Sequence, residues 1–180
     1  MFIEYLSKDL RFFLSVIVTM VLSICLHELG HAFMAIWLGD RTPIEQHRIT
    51  MNPVVHMGAM SLICLLLAGF SWGAMPVNPR RLRGKYGPAL VAVAGPLVNV
   101  FLAVLALGGL GLWQRLGRGE HHNLSQVELN FRYLLWIFGS SNVMLTMFNL
   151  LPLPPLDGSR ILANFSAPFA EAVQTYTSRG

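Results

Sequence analysis

The sequence predicts an all-α membrane protein: a polytopic bundle of three to four transmembrane helices, with a re-entrant or interfacial segment between the first and second core helices. Three observations carry that reading. Apolar residues make up 54% of the chain and charged residues only 12%, against about a quarter charged in an ordinary soluble domain. The apolar residues gather into four runs separated by polar connections. The basic residues cluster at the ends of those runs, and with a formal charge of only +4 they suit lipid headgroups better than nucleic acid. The 180 residues suffice for one domain, 1–180, with a core at about 12–162 and a weakly apolar tail at 163–180 that can lie on a membrane surface.

The first run spans about Phe12 to Leu38 and ends at Gly39-Asp40. As a helix it is about 40 Å long, more than a ~30 Å bilayer core requires. It continues through its histidines without stopping at a small-residue cleavage site, so it reads as a retained helix rather than a leader. The second run, about Met57 to Met75, is short and interrupted by Gly58, Gly69 and Gly73. The third, about Ala89 to Trp113, carries Gly95-Pro96 in its first half, and the fourth, about Tyr133 to Leu151, ends in Pro152, Pro154 and Pro155. The connections hold Asp40, Arg41, Glu45, His47 and Arg48, then Arg80, Arg81, Arg83 and Lys85, then Arg115, Arg118, His121 and His122. Cys25 and Cys64 fall inside apolar runs and read as small buried hydrophobes.

Within the first run stands His27-Glu28-Leu29-Gly30-His31. Residues four apart on a helix share a face about 6 Å apart, a good pitch for two nitrogen ligands on one ion. Glu28 follows His27 directly and can reach a water on that ion without ligating it, which is the zincin arrangement of two ligands and a general base. Three such side chains at membrane depth are costly unless they bind something or pair with one another. The alternative is a hydrogen-bonded cluster that joins helices.

A catalytic zinc needs a third protein ligand and an open position. Asp157, in "LPLPPLDGSR", is the best candidate. Prolines break the helix before it, and unwound backbone at membrane depth is tolerated where it lines a cavity. The same residues are also compatible with a plain Asp-Gly turn at the water interface. Asn99, in "AGPLVN", lies about a turn beyond Gly95-Pro96, which let their helix kink and approach its neighbours. Its amide is placed either to donate to the oxyanion formed when water attacks a peptide carbonyl, or to bond a neighbouring helix. Asn142, Thr146 and Asn149 divide between interhelical bonds and site lining. His56 and His47 are candidate extra ligands or substrate contacts, although loop histidines are more often merely solvated.

Three elements in order, His27-Glu28-Leu29-Gly30-His31, Gly95-Pro96-Leu97-Val98-Asn99, and Asn149 through Pro152 to Asp157-Gly158, resemble the site-2 proteases, the intramembrane zinc metalloproteases. "MNPVVHMGAM" and "AMPVNPRRLRG" look like the compact prokaryotic branch without a PDZ insertion, and the resemblance covers roughly residues 20 to 162. It implies one Zn2+ per chain on His27, His31 and Asp157, with Glu28 activating water and Asn99 supporting the intermediate. The substrate it implies is a membrane protein with a transmembrane helix. The location it implies is a prokaryotic plasma membrane, with a homo-oligomer left open. Ser159 stands where a second glycine is frequent in the family, and the further hydrophobic helix usual after the aspartate is not among these 180 residues. The rival readings are a non-catalytic membrane metal-binding or chaperone-like protein and a metal transporter. Glu28 argues against the first, since a pure binding site needs no base.

The ligand set constrains topology. His31 lies near the C-terminal end of the first run, and Asp157 lies just past the C-terminal end of the fourth. Both must face the same side. If the second run crossed, those ends would be separated by most of the bilayer. Positive charges divide eight to five whether the second run crosses or re-enters, so they do not decide. The metal geometry predicts that the second run does not simply cross, that the N-terminus is outside, and that the site faces the cytoplasm.

Overall fold

The computed structural model describes residues 1–116 and 125–177, and every regular element among them is helical. After a 3-10 turn at Phe2–Glu4 the helices are α1 (Tyr5–Lys8), α2 (Leu10–Trp37), α3 (Thr42–Glu45), α4 (Pro53–Ala68), α5 (Gly87–Leu116), α6 (Gln126–Asn149), α7 (Asp157–Phe165) and α8 (Ala167–Thr177). Helices α2, α5 and α6 pack against one another, α7 lies against α5, and α4 leans on α2. Among the described residues, α2 and α5 are both long and apolar enough to cross a membrane. Helix α6 has the length, but its first turns carry Gln126, Glu128, Asn130 and Arg132 and it falls short in apolarity. The expected three to four crossings are thus matched by two helices on length and apolarity together. Arg118, His121, His122 and Arg179 lie outside the described residues.

Local chemistry sets the helix ends. Asp9 caps α2 by accepting from the Phe12 N–H at 2.9 Å, and Gly39, at φ 103°, turns the chain after its last residues. Asn52 caps α4 through the Val54 N–H, with Pro53 in the first position, where its missing N–H costs nothing. Ser125 and Glu128 form a reciprocal capping box, so α6 begins well before the apolar run that the sequence alone marks. Within the tail expected at 163–180 to be only weakly apolar, residues 163–165 close α7 and Ala167–Thr177 form α8, with Ser166 between them.

The second apolar run folds back. Gly58, at φ 72° and ψ 166°, breaks α4 internally, and Gly69, at φ 73°, ends it. The chain beyond runs extended alongside the helix it has just left. Ser61 Oγ donates to the Trp72 carbonyl at 2.7 Å and accepts from the Trp72 N–H at 2.8 Å, while the Ala74 N–H donates to the His56 carbonyl at 3.0 Å. Residue 74 has therefore returned to the level of residue 56. The run ends as helix at Ala68, short of Met75 where hydropathy alone places its end.

Three contacts tie the two connecting loops to the same end of α2. The Arg83 N–H donates to the Leu38 carbonyl at 2.8 Å, Arg81 pairs with Glu45 at 2.7 Å, and the Asn78 N–H donates to Asp40 Oδ2 at 2.7 Å. Asp40 is buried and also accepts from the Thr42 N–H and hydroxyl, at 3.0 and 2.6 Å. Burial alone would raise the Asp40 carboxyl. The bonds from Thr42 and Asn78, with help from the Arg81 charge, outweigh it and hold the group below its ordinary value of 3.8. A group depressed on folding stabilises the fold above its unfolded value, and that stabilisation is lost as pH falls through the folded one. Asp40→Asn is expected to cost about 1–3 kcal/mol at neutral pH. The deficit, followed by thermal unfolding in detergent, should shrink on acidification below 3.8. A deficit that grew on acidification would contradict this account.

Candidate metal centre and active site

Helix α2 supplies the first three side chains. His27, Glu28 and His31 are all buried, near the end of the helix that the two loops close over. His31 Nδ1 lies 2.7 Å from the Val91 carbonyl of α5. A carbonyl only accepts, so Nδ1 carries the proton and the neutral ring presents its Nε2 lone pair on the other side. His31 Nε2 stands 3.0 Å from His27 Nε2.

Asp157 arrives from the far end of the sequence. Helix α6 stops at Asn149, residues 150–156 turn through the proline cluster, and Asp157 opens α7. Its Oδ2 lies 3.1 Å from His27 Nε2 and 3.3 Å from His31 Nε2. Gly158 is obligatory here, because a Cβ would come within 2.2 Å of the Leu150 carbonyl oxygen. Ser159 is accommodated, its hydroxyl donating to the Leu156 carbonyl at 2.7 Å. The proline break therefore delivers a buried carboxylate rather than a solvent-exposed turn.

Glycines bring the helices close enough for this. A Cβ at Gly30 would meet Val98 Cγ2 at 2.8 Å and the Ala94 carbonyl oxygen at 3.0 Å. A Cβ at Gly95 would sit 2.5 Å from His31 Nε2 and 2.6 Å from His27 Nε2. Helix α5 thus presents bare backbone to the two rings. Gly73, in the returning extended stretch, does the same for Glu28, whose Oε1 would lie 2.5 Å from a Cβ there. Asn99 follows Gly95 by four residues, on the same face of α5, and is fully buried. Neither its Oδ1 nor its Nδ2 has a hydrogen-bond partner among the described residues, so the helix-to-helix bond read as its alternative is not formed.

The other polar candidates separate. Asn142 Nδ2 donates to Ser23 Oγ across α6 and α2 at 2.8 Å and so joins helices beside the site, whereas Thr146 Oγ1 donates to the Asn142 carbonyl of its own helix at 2.9 Å and lies 3.5 Å from the Pro96 carbonyl of α5. Asn149 donates to the Leu145 carbonyl of its own helix. His47 is exposed at a positive φ of 52° and is not drawn into the site. His56 is buried, which the loop reading did not anticipate. Cys25 and Cys64 are free thiols. Sequence reasoning could not find the Val91 carbonyl, because a backbone group leaves no residue-type signal.

The donor set fits a metal ion. Nε2 of His27, Nε2 of His31 and a carboxylate oxygen of Asp157 all lie within 4.8 Å of one another. Around a tetrahedral zinc with ligands at ~2.0–2.1 Å, neighbouring donors stand ~3.3 Å apart, close to the three distances found. Three electron-pair donors held that close and away from water repel one another unless a cation or proton lies among them. Two histidines and a carboxylate are the donors of a hydrolytic zinc site with an open position.

Comparison with known proteins agrees. The sequence profile of Peptidase family M50 matches residues 119–178. The chain is 37% identical over 161 residues to "Putative zinc metalloprotease YwhC" of Bacillus subtilis, covering 88% of this chain and 72% of that protein. It is 32% identical over 154 residues to "Putative zinc metalloprotease Rip2" of Mycolicibacterium smegmatis, covering 81% of this chain and 55% of the relative. It is 26% identical over 145 residues to "Zinc metalloprotease MJ0392" of Methanocaldococcus jannaschii, of which it spans 32%. No solved structure matches significantly. The chain belongs to peptidase family M50, a membrane-type family of zinc metalloproteases.

Gly95 gives a local test. Gly95→Ala places a methyl group against both imidazole Nε2 atoms. The purified variant should be as helical as wild type by circular dichroism, with bound zinc well below one per chain. A full complement of zinc in Gly95→Ala would show that the rings do not meet the metal in this arrangement.

Proposed function

We propose that this chain is a single integral membrane domain, 1–180, that hydrolyses a peptide bond in or near a transmembrane segment of a membrane-protein substrate. His27, His31 and Asp157 hold one zinc ion, and Glu28 is the general base. The observation that carries this reading is the convergence of His27, His31 and Asp157, with the buried Glu28 next to His27 on the same helix. When bound, zinc supplies a Lewis acid that acidifies water and polarises a carbonyl.

The chain's own residues do the rest. Glu28 takes the proton of the attacking water and returns it to the leaving amine. Asn99, with an unpaired buried amide, donates Nδ2–H to the oxygen on which negative charge develops. The Val91 carbonyl keeps the His31 ring in the tautomer that points Nε2 into the site. The substrate must be unwound there, because a helical peptide bond is shielded and already hydrogen-bonded.

Helices α2, α5 and α6 cross the bilayer in this reading, and α4 with the extended stretch after it re-enters from the side to which α2 ends. His31 lies six residues before the end of α2, about 9 Å along the axis, so water reaches the site from that face. The loops at 40–56 and 78–88 share the cytoplasmic side of a prokaryotic plasma membrane, with the N-terminus outside. The family and the two long apolar helices support a membrane location, and the shared end of α2 and α7 supports one side for both loops.

Glu28→Gln should retain about one zinc per chain while cleavage of a transmembrane substrate falls by roughly 10²–10⁴-fold. Equal cleavage by wild type and Glu28→Gln would favour a metal-binding protein without protease activity. Single cysteines placed in the 40–56 and 78–88 loops of a cysteine-free variant should label from the same side of sealed vesicles. Labelling from opposite sides would overturn the re-entrant topology.

A further inference from the structure

His56 is 2% exposed, in a segment where nothing in the reaction described so far requires a histidine. Its Nε2 lies 2.6 Å from the Thr50 carbonyl oxygen. That oxygen only accepts, so Nε2 carries the proton and Nδ1 of the neutral ring is an acceptor. Nδ1 is buried and has no partner among the described residues. A histidine serving only to staple the 50–56 turn would use Nε2 and leave nothing to explain. Here half of the ring's hydrogen-bonding capacity is buried and unspent.

The fold-back puts this ring near the candidate base. The His56 carbonyl accepts from Ala74 N–H, and Gly73, the residue before, packs against the Glu28 carboxylate. The buried His56 side chain therefore stands on the stretch of α4 that is bonded to the strand of chain packed against Glu28. The other titratable groups around Glu28 are His27 and His31 on its own helix and Asp157 on α7. An ionised carboxylate and an imidazole Nδ1 lone pair are both acceptors. They cannot bond each other, and the small neutral molecule that donates to two acceptors at once is water.

We propose that His56 is a positioning residue for Glu28, acting through one buried water that donates to both the His56 Nδ1 and the Glu28 carboxylate. The proposal rests on the reading of Glu28 as the base. The bridge fixes the carboxylate's orientation from the side of the extended stretch, and it keeps a water beside a reaction that consumes one per turnover.

Two substitutions divide the ring's functions. In His56→Gln the side-chain N–H still reaches the Thr50 carbonyl, but no acceptor stands at the Nδ1 position. In His56→Asn the amide oxygen stands near the Nδ1 position, but the bond to Thr50 is lost. With a fluorogenic transmembrane peptide that wild type cleaves and Glu28→Gln does not, His56→Gln should keep wild-type zinc content and Tm. Its kcat should drop about 10–100-fold with little change in KM. His56→Asn should recover part of kcat despite a lower Tm. Wild-type kcat in His56→Gln, or a kcat that simply follows Tm across the two variants, would overturn the proposal. A readout independent of cleavage is 15N NMR of histidine-labelled protein. It should show His56 as the Nε2–H tautomer with its δ1 nitrogen accepting a hydrogen bond; a protonated or unbonded δ1 nitrogen would overturn it. If wild type cleaves the peptide no faster than Glu28→Gln, the protease reading fails, and the NMR signature still decides whether His56 Nδ1 accepts the hydrogen bond that the bridge requires.

Discussion

His27 and Asp157 are 130 residues apart in the chain, yet their donor atoms stand 3.1 Å apart. That meeting constrains the path of everything between them. The end of α2 and the start of α7 must lie at one end of the bundle. The fold-back after α4 returns the chain to that end, where Asp40 and Leu38 hold residues 78 and 83. Helix α5 then leaves, α6 comes back, and the proline turn hands Asp157 to the histidines. Were the second apolar run a through-going helix, α6 would finish at the wrong end and no donor set would form.

Close approach is the second requirement, and it is met by removing side chains. Gly30 and Gly95 let α2 and α5 come together at the rings, Gly73 admits the extended stretch beside Glu28, and Gly158 lets α7 start against the Leu150 carbonyl. Small residues serve where backbones must touch. Among the described residues, His27 Nδ1, both amide atoms of Asn99 and His56 Nδ1 are buried without hydrogen-bond partners, as are Thr19 Oγ1, Ser71 Oγ, Arg132 Nε, Asn142 Oδ1 and Asn164 Nδ2. Each such group costs about 1–3 kcal/mol, and natural folds tolerate that cost chiefly at functional sites.

Much of this was legible in the sequence, for identifiable reasons. The spacing of His27 and His31 is fixed by the helix pitch, so their shared face needed no coordinates. The prolines at 152, 154 and 155 announced the break before Asp157. The fold-back was legible only through the ligand constraint, because hydropathy over 57–75 describes composition and not direction, and the two positive-φ glycines, Gly58 and Gly69, look like any others in a letter string. The early start of α6 was written in Ser125 and Glu128 but lay outside the apolar run. Helices α7 and α8 were too short and too mixed in character to separate from an irregular tail. The burial of His56 and the Val91 contact to His31 depend on which backbone groups meet across the fold, and no local pattern encodes that.

The measurement that bears most directly on the central claim is the metal content of detergent-purified wild type beside Asp157→Ala. The account predicts about one zinc per chain in wild type and most of it lost in the variant, because two imidazoles on one helix hold the ion poorly without the carboxylate that the fold brings to them. Wild type without zinc, or a variant that keeps all of it, would contradict the three-donor site and the chain path inferred from it.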